Sequence, residues 1–308
     1  MIDWILYLIA RAIIGVIRVL PLPTVARIGR VGGALFYWCD ARHRRVAIRN
    51  IGRCFPEKSI SETRAIAWEN FKRIGEAFAS AVKTAYLSTE EILPRCELIG
   101  FDKIRPHEAG DQAQNRIVAI GHFANFELNA KMVSVLGFQG ATTYRGIRQP
   151  MVGKLMQDLR SRSGTLFFER RTGATALKAA MGGKGLLLGL LADQHAGRGG
   201  LWVPFFGELC STTAAPAVLA LRYNCPLQTA ICYRTALARW RFEIGDEIPL
   251  YEAGQARSTE AITRDMNRAF ETAIRRDPAN WFWVHNRWKP MKQKRAKVQI
   301  DQEKKVAP

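Results

Sequence analysis

The first apolar run of the chain, residues 1–20, is broken only by Asp3, Arg11 and Arg18, and Pro21 and Pro23 close it. About 20 such residues suffice to span a bilayer, although a charge at the centre of a span costs about 2.5–3.5 kcal/mol on insertion scales. Arg11 and Arg18, seven apart, share a helical face, which equally suits a helix lying in the interface with its cations near head groups. The run lacks the small-residue cleavage pattern of a secretory signal and is expected to be retained.

Beyond it, Ser59-Ile60-Ser61-Glu62 reads as a capping box opening a long helix. Phe71, Ile74, Phe78, Val82 and Tyr86 then recur at helical spacing, making that face core or lipid-facing rather than a cofactor box. Short apolar or alternating runs predict strands over 96–99, 117–120, 142–144, 186–190, 227–233 and 239–244. Periodic segments predict helices over 127–136, 151–162, 173–181, 214–223 and 259–276. This alternation means an α/β fold, a mixed central sheet flanked by helices, with no internal repeat. Three parts are expected: a membrane-anchor helix over 1–22, a catalytic domain over 23–289 and a basic, disordered tail over 290–308, rich in lysine.

Charge narrows the partners. A 308-residue chain with a net charge of +19 calls for an acidic partner or surface. Nucleic acid is the weakest candidate, because no helix-turn-helix, zinc-finger or RNA-binding signature accompanies the charge. Anionic lipid attracts at about 1 kcal/mol per basic residue near the surface. Arg27, Arg30, Arg42, Arg44, Arg45, Arg49 and Arg53 follow the apolar run, and by the positive-inside bias they put the body on the cytoplasmic side. The six cysteines have no metal or redox spacing and read as free thiols in a reducing compartment.

The segment most telling of chemistry is Gly121-His122-Phe123-Ala124-Asn125-Phe126-Glu127, between a buried strand and a helix. A turn there lies at the strand ends where open α/β sheets bind ligands. An imidazole can serve as general base, and a carboxylate beside it fixes the tautomer and stabilises the imidazolium. Five residues are roughly 140° of helical rotation, so His122 and Glu127 can meet only if His122 sits in the turn ahead of the helix. No G-x-S-x-G, H-E-x-x-H, paired C-x-x-C, Walker loop or G-x-G-x-x-G occurs, so neither a metal nor a nucleotide cofactor is expected. Asp193, past the 186–190 strand, is either a second carboxylate near His122 or a cap of the next turn. Val203-Pro204-Phe205-Phe206-Gly207 is either an acyl-chain wall or core. His285, among Trp281, Trp283 and Trp288, reads as part of an interfacial aromatic cluster, and His195 as exposed.

Taken in order, these segments resemble the bacterial lipid A biosynthesis acyltransferases, within the wider group sharing a His-x4-acid motif. The matching blocks are Arg42-His43-Arg44-Arg45 with Asn50, Phe55-Pro56-Glu57, Gly121-His122 through Glu127, Tyr144-Arg145 and Arg170-Arg171. They continue through Ala192-Asp193-Gln194, Val203 to Gly207 with Thr212-Thr213, and Trp281 to Lys289. The acid is Glu127, where many glycerol-phosphate acyltransferases carry Asp. The resemblance implies a glycerol-phosphate acyltransferase-like fold, a spanning or steeply inserted anchor, and a place on the cytoplasmic side of the bacterial inner membrane. It implies direct transfer of an acyl group from acyl carrier protein to a lipid A precursor in lipopolysaccharide synthesis, with His122 as base and Glu127 orienting it. Arg145, Arg170 and Arg171, with Asp193, become substrate-binding candidates, since arginine pairs bidentately with phosphate. Two alternatives stand beside it: an acyltransferase on another glycolipid, of phosphatidylinositol mannoside type using acyl-CoA, and a non-catalytic protein of the membrane surface.

Overall fold

The computed structural model describes residues 2–104, 114–135 and 138–290. Its helices up to the first strand are α1 (Ile2–Val19), α2 (Leu22–Cys39), α3 (Ala41–Cys54), α4 (Ile60–Thr84) and the single turn α5 (Thr89–Ile92). Then come β1 (Cys96–Ile99), β2 (Arg116–Ile120), α6 (Asn129–Val135), β3 (Gln139–Tyr144), α7 (Pro150–Ser161), β4 (Leu166–Glu169), α8 (Ala174–Met181) and β5 (Leu186–Leu191). The chain continues with β6 (Leu201–Phe205), β7 (Glu208–Thr212), α9 (Ala215–Tyr223), β8 (Leu227–Ala236), β9 (Arg239–Ile244), β10 (Tyr251–Glu252), β11 (Gln255–Ala256) and α10 (Thr259–Arg276).

Seven strands form one sheet in the order β1-β9-β8-β2-β5-β3-β4. Every neighbouring pair is parallel except β8 with β9. The sheet is mixed, as the alternation of strand and helix patterns predicts. Successive residues of its central strands enter two separate cores. Ile117, Ala119, Leu186, Leu188 and Leu190 pack with Phe270, Ile274 and Ala220 of α10 and α9. Val118 and Leu187 pack on the other face with Leu128, Met132 and residues of α2. Covering both faces is why β5 reads as an unbroken leucine-rich run rather than an alternating one.

The capping box is formed: Ser59 accepts from the Glu62 N–H and its own N–H reaches the Glu62 carboxylate. From that cap α4 runs 25 residues against α2. Three glycines set how close they come. A Cβ on Gly29, Gly33 or Gly75 would lie 2.4, 2.1 or 2.0 Å from a carbonyl oxygen of the other helix. Only residues without a side chain permit that approach.

The N-terminal anchor is corrected by the structure. Among the described residues no helix is long and apolar enough to cross a membrane. Eighteen residues of α1 rise about 27 Å, short of the ~30 Å hydrocarbon core, and three of them are charged. The helix packs on the protein instead: the Asp3 carboxylate accepts from the Met151 N–H at 3.3 Å at the start of α7, and Lys83 of α4 donates to the backbone carbonyl of Arg18 at 2.6 Å. Pro21 and Pro23 do end α1, but they also start α2, where the N-terminal turn tolerates proline. The spanning anchor, and the inner-membrane placement that rested on it, therefore do not stand.

In the segment from Val203 to Gly207 only Val203 and Phe205 are core, both fully buried; Pro204 is exposed, and Phe206-Gly207 forms the tight turn of the β6–β7 hairpin with φ of 53° and 77°. The basic tail expected over 290–308 lies, past residue 290, outside the described residues.

Candidate active site

Strand register brings the central pair together. Ile120 of β2 is paired with Leu191 of β5, so His122 and Asp193, each two residues further on, leave the sheet side by side. The Asp193 side chain is 1% exposed and accepts three hydrogen bonds. They come from the His122 backbone N–H (2.7 Å), His122 Nδ1 (2.7 Å) and Trp281 Nε1 (2.7 Å). Burial alone would raise the Asp193 carboxyl, but the His122 charge and the bonds from His122 and Trp281 outweigh it and hold its pKa below the ordinary value. An ionised carboxylate only accepts, so Nδ1 carries the proton and Nε2 is the nitrogen left for a substrate. The ring is held by Phe126, edge-on at 4.7 Å, and Phe282 at 5.9 Å.

The turn itself is specialised. A Cβ on Gly121 would come within 2.3 Å of the Phe123 ring, so glycine is required there. Phe123 bridges Trp281 in the manner of a strand pair, and Ala124 is left-handed at φ 41° with its N–H bonded to the Asn280 carbonyl. Asn125 follows, 1% exposed, with neither atom of its amide hydrogen-bonded among the described residues.

Glu127 lies in the short 3-10 turn Phe126–Leu128 and binds Arg160 of α7 through two bonds, 2.6 Å from Nη2 and 3.2 Å from Nε. The imidazole Nδ1–H thus donates to Asp193, whereas Glu127, five residues from His122, is taken by an arginine. Both His122 and Glu127 border one groove, with Asn125, Phe126 and Phe282 on one side. Opposite them Ile74, Ala77, Phe78 and Ala81 present an apolar face of α4. Ile74 and Phe78 of the helical period read from the sequence lie on that face.

The arginine candidates sit further along the same end of the sheet. Arg145 follows β3, and Arg170 and Arg171 follow β4, all exposed. With strands spaced about 4.8 Å apart, those ends lie two and three strands from β2, about 10 and 14 Å away. The Arg170 N–H donates to the Tyr144 carbonyl and the Arg171 N–H to the Glu169 carboxylate, which fixes their backbones and leaves the guanidiniums outward. None of them touches His122.

The C-terminal aromatic block is core, which corrects its reading as an interfacial cluster: Trp281, Trp283 and Trp288 are buried. Asn50 donates to the carbonyls of Trp283 and His285, and fully buried Arg287 donates to the Ser211 carbonyl and Thr212 Oγ1. His285 Nε2 accepts from the His195 N–H at 3.0 Å, and burial pushes the His285 pKa down to about 4. His195 is half-buried rather than exposed.

Arg160 and the unpartnered amide of Asn125 escaped the sequence reading. Arg160 carries no local signal, being one basic residue among 46. Asn125 stood inside the motif, but nothing in its spacing says that its amide is unpartnered.

The family described as bacterial lipid A biosynthesis acyltransferase matches residues 1–290. The lipid A biosynthesis lauroyltransferase of Escherichia coli (strain K12) is 28% identical over 276 residues, covering 88% of this chain and 87% of that one. The palmitoleoyltransferase of the same organism is 26% identical over 277 residues, covering 88% and 86%. The lipid A biosynthesis acyltransferase of Haemophilus influenzae is 26% identical over 276 residues, covering 88% and 86%.

Proposed function

The chain belongs to the bacterial lipid A biosynthesis acyltransferase family, and from that premise we propose that it moves a fatty acyl group from an acyl carrier protein thioester to a hydroxyl of a lipid A precursor, with His122 as general base. It is an acyltransferase, and the alternative of a non-catalytic surface protein falls away.

The observation that carries the mechanism is the 2.7 Å bond from His122 Nδ1 to Asp193. It leaves Nε2 to take the proton of the acceptor hydroxyl as that oxygen attacks the thioester carbonyl. The tetrahedral intermediate then expels the thiolate, and the imidazolium returns the proton to sulfur. No cysteine or serine nucleophile is needed, so transfer is direct. Asp193 orients the ring and stabilises its cation. Glu127 orients the site at one remove, holding Arg160 at the groove. The unpartnered Asn125 amide supplies a donor for the developing oxyanion. The apolar face of α4 takes the acyl chain, and Arg145, Arg170 and Arg171 take acidic groups of the acceptor.

Carrier protein and phosphorylated glycolipid are acidic, which the net charge of +19 suits. An anionic lipid surface is a third such partner, met at the exposed apolar side chains of α1 and α2, among them Trp4, Ile9, Ile13, Leu35 and Trp38.

Mass spectrometry tests the reading. Purified wild type and His122→Ala are incubated with acyl carrier thioester and a tetra-acylated lipid A precursor. A single-acyl gain that disappears in the variant is expected, and its size gives the chain length. Relatives named for lauroyl and palmitoleoyl transfer match about equally, so that length has to be measured. No gain from folded wild type, or an undiminished gain from the variant, would refute the substrate class or the base respectively.

A further inference from the structure

A second cavity, of about 300 Å³, opens between α1, the end of α4 and α7. Its walls carry Arg11 and Arg18 from α1 and Arg162 just past α7, with Tyr7, Tyr86 and the single carboxylate Asp158. The Arg18 and Arg162 guanidiniums both lie over the Tyr86 ring, 4.6 and 4.5 Å from its centre. Arg11 lies over Tyr7 and donates to its hydroxyl at 3.2 Å. Each cation is thus positioned by an aromatic ring and not by an acid. Elsewhere Arg30, Arg73, Arg160, Arg234 and Arg257 all hold carboxylates. Among the described residues none of these three does, and Asp158 is beyond ion-pair distance of them. Three like charges converging on one cavity repel one another unless an anion lies between them. Arginine presents a planar fork that suits phosphate oxygens.

We propose that this cavity binds the phosphate of an organic phosphate substrate, with Arg11, Arg18 and Arg162 as its ligands and Tyr86 as the platform that holds two of them. Two substrates of the proposed reaction contain that group: the acceptor glycolipid, and the phosphodiester of the carrier's thioester arm. In this it rests on the transferase reading above. Scale fits either source. Phe78 lies against Phe282 beside the imidazole, and Tyr86 lies two residues past the end of α4, whose last residue, Thr84, is about 9 Å by helical rise beyond Phe78. Arg160 of α7 meanwhile reaches Glu127, so one helix borders both the arginine cavity and the catalytic groove.

The test uses the full chain and the double variant Arg18→Gln/Arg162→Gln, whose side chains are exposed and whose folding is checked by circular dichroism. Phosphorus NMR titration with inorganic phosphate needs no turnover; broadening in wild type that is lost in the variant is expected. Kinetics then name the source. Loss of charge-assisted bonds should raise the KM for the phosphorylated acceptor about 10–100-fold, with little change in kcat and no further rise when the acceptor's phosphates are removed. A rise confined to the carrier thioester assigns the cavity to the carrier's phosphodiester. Identical titrations and unchanged KM for both substrates would overturn the proposal. A titration difference in a protein that transfers no acyl group would sink the transferase reading and leave the phosphate site standing.

Discussion

Glu127 borders the groove and Asp193 lies buried behind the imidazole that borders it, and the two carboxylates do opposite things with their charge. Asp193 is buried, receives three hydrogen bonds and holds the imidazole. Glu127 is 26% exposed and holds an arginine from another helix. The carboxylate nearer in sequence is not the one on the imidazole, because the left-handed turn at Ala124 and the 3-10 turn after it carry Glu127 to Arg160 while parallel register brings Asp193, 71 residues away, onto His122.

The sharpest way to break this comparison is Asp193→Asn, which keeps the shape and removes the charge. A fall in kcat of about 10³–10⁴-fold is expected, read by single-turnover kinetics, because the wrong tautomer becomes available and the imidazolium loses its partner. Glu127→Gln should cost less, about 10–100-fold, the loss of one charge-assisted pair. If the two losses were equal, Glu127 would have to reach the imidazole during the reaction. A double-mutant cycle with Arg160→Gln sharpens the point: the Glu127 and Arg160 losses should overlap, while Asp193 and Arg160 should add.

Smaller effects probe the surroundings. Ala77→Phe narrows the α4 wall, and product masses should shift toward shorter chains, each methylene left unburied costing about 0.8 kcal/mol or about fourfold. Last comes pH. With its folded pKa near 4 against an unfolded value near 6.5, His285 is neutral in the fold and binds its proton more readily when unfolded. Stability should therefore rise with pH between about 4 and 6.5. His285→Gln should flatten the Tm profile in that window; an unchanged slope would mean the ring is not buried neutral. Asp193 acts below it: its depressed pKa means stability present above the unfolded value near 3.9 and lost as pH falls further.

Where a segment carries its own period, its sequence is enough. The capping box at Ser59, β1, β9 and α10 lie where the pattern put them, since local hydrogen bonds and alternation with burial need no distant information. The stretch from Leu22 to Cys54 was silent because its apolar side chains serve two surfaces at once, the α4 contact and an exposed ridge, and its glycines blur helical spacing. β4 was missed for its brevity, four residues at the sheet edge. The apolar N-terminus misled in a different way: apolarity says that a surface avoids water, not whether lipid or protein covers it.

The sequence by itself determined the class of fold, the family and the candidate base, because strand and helix periods and an ordered set of motifs are properties of the linear chain. Only the tertiary structure decided which carboxylate bonds the His122 imidazole, that α1 packs on α7 through Asp3, and that Arg18 and Arg162 meet over Tyr86. Those are relations between segments up to some 150 residues apart, set by strand register and helix packing, and no local pattern records them.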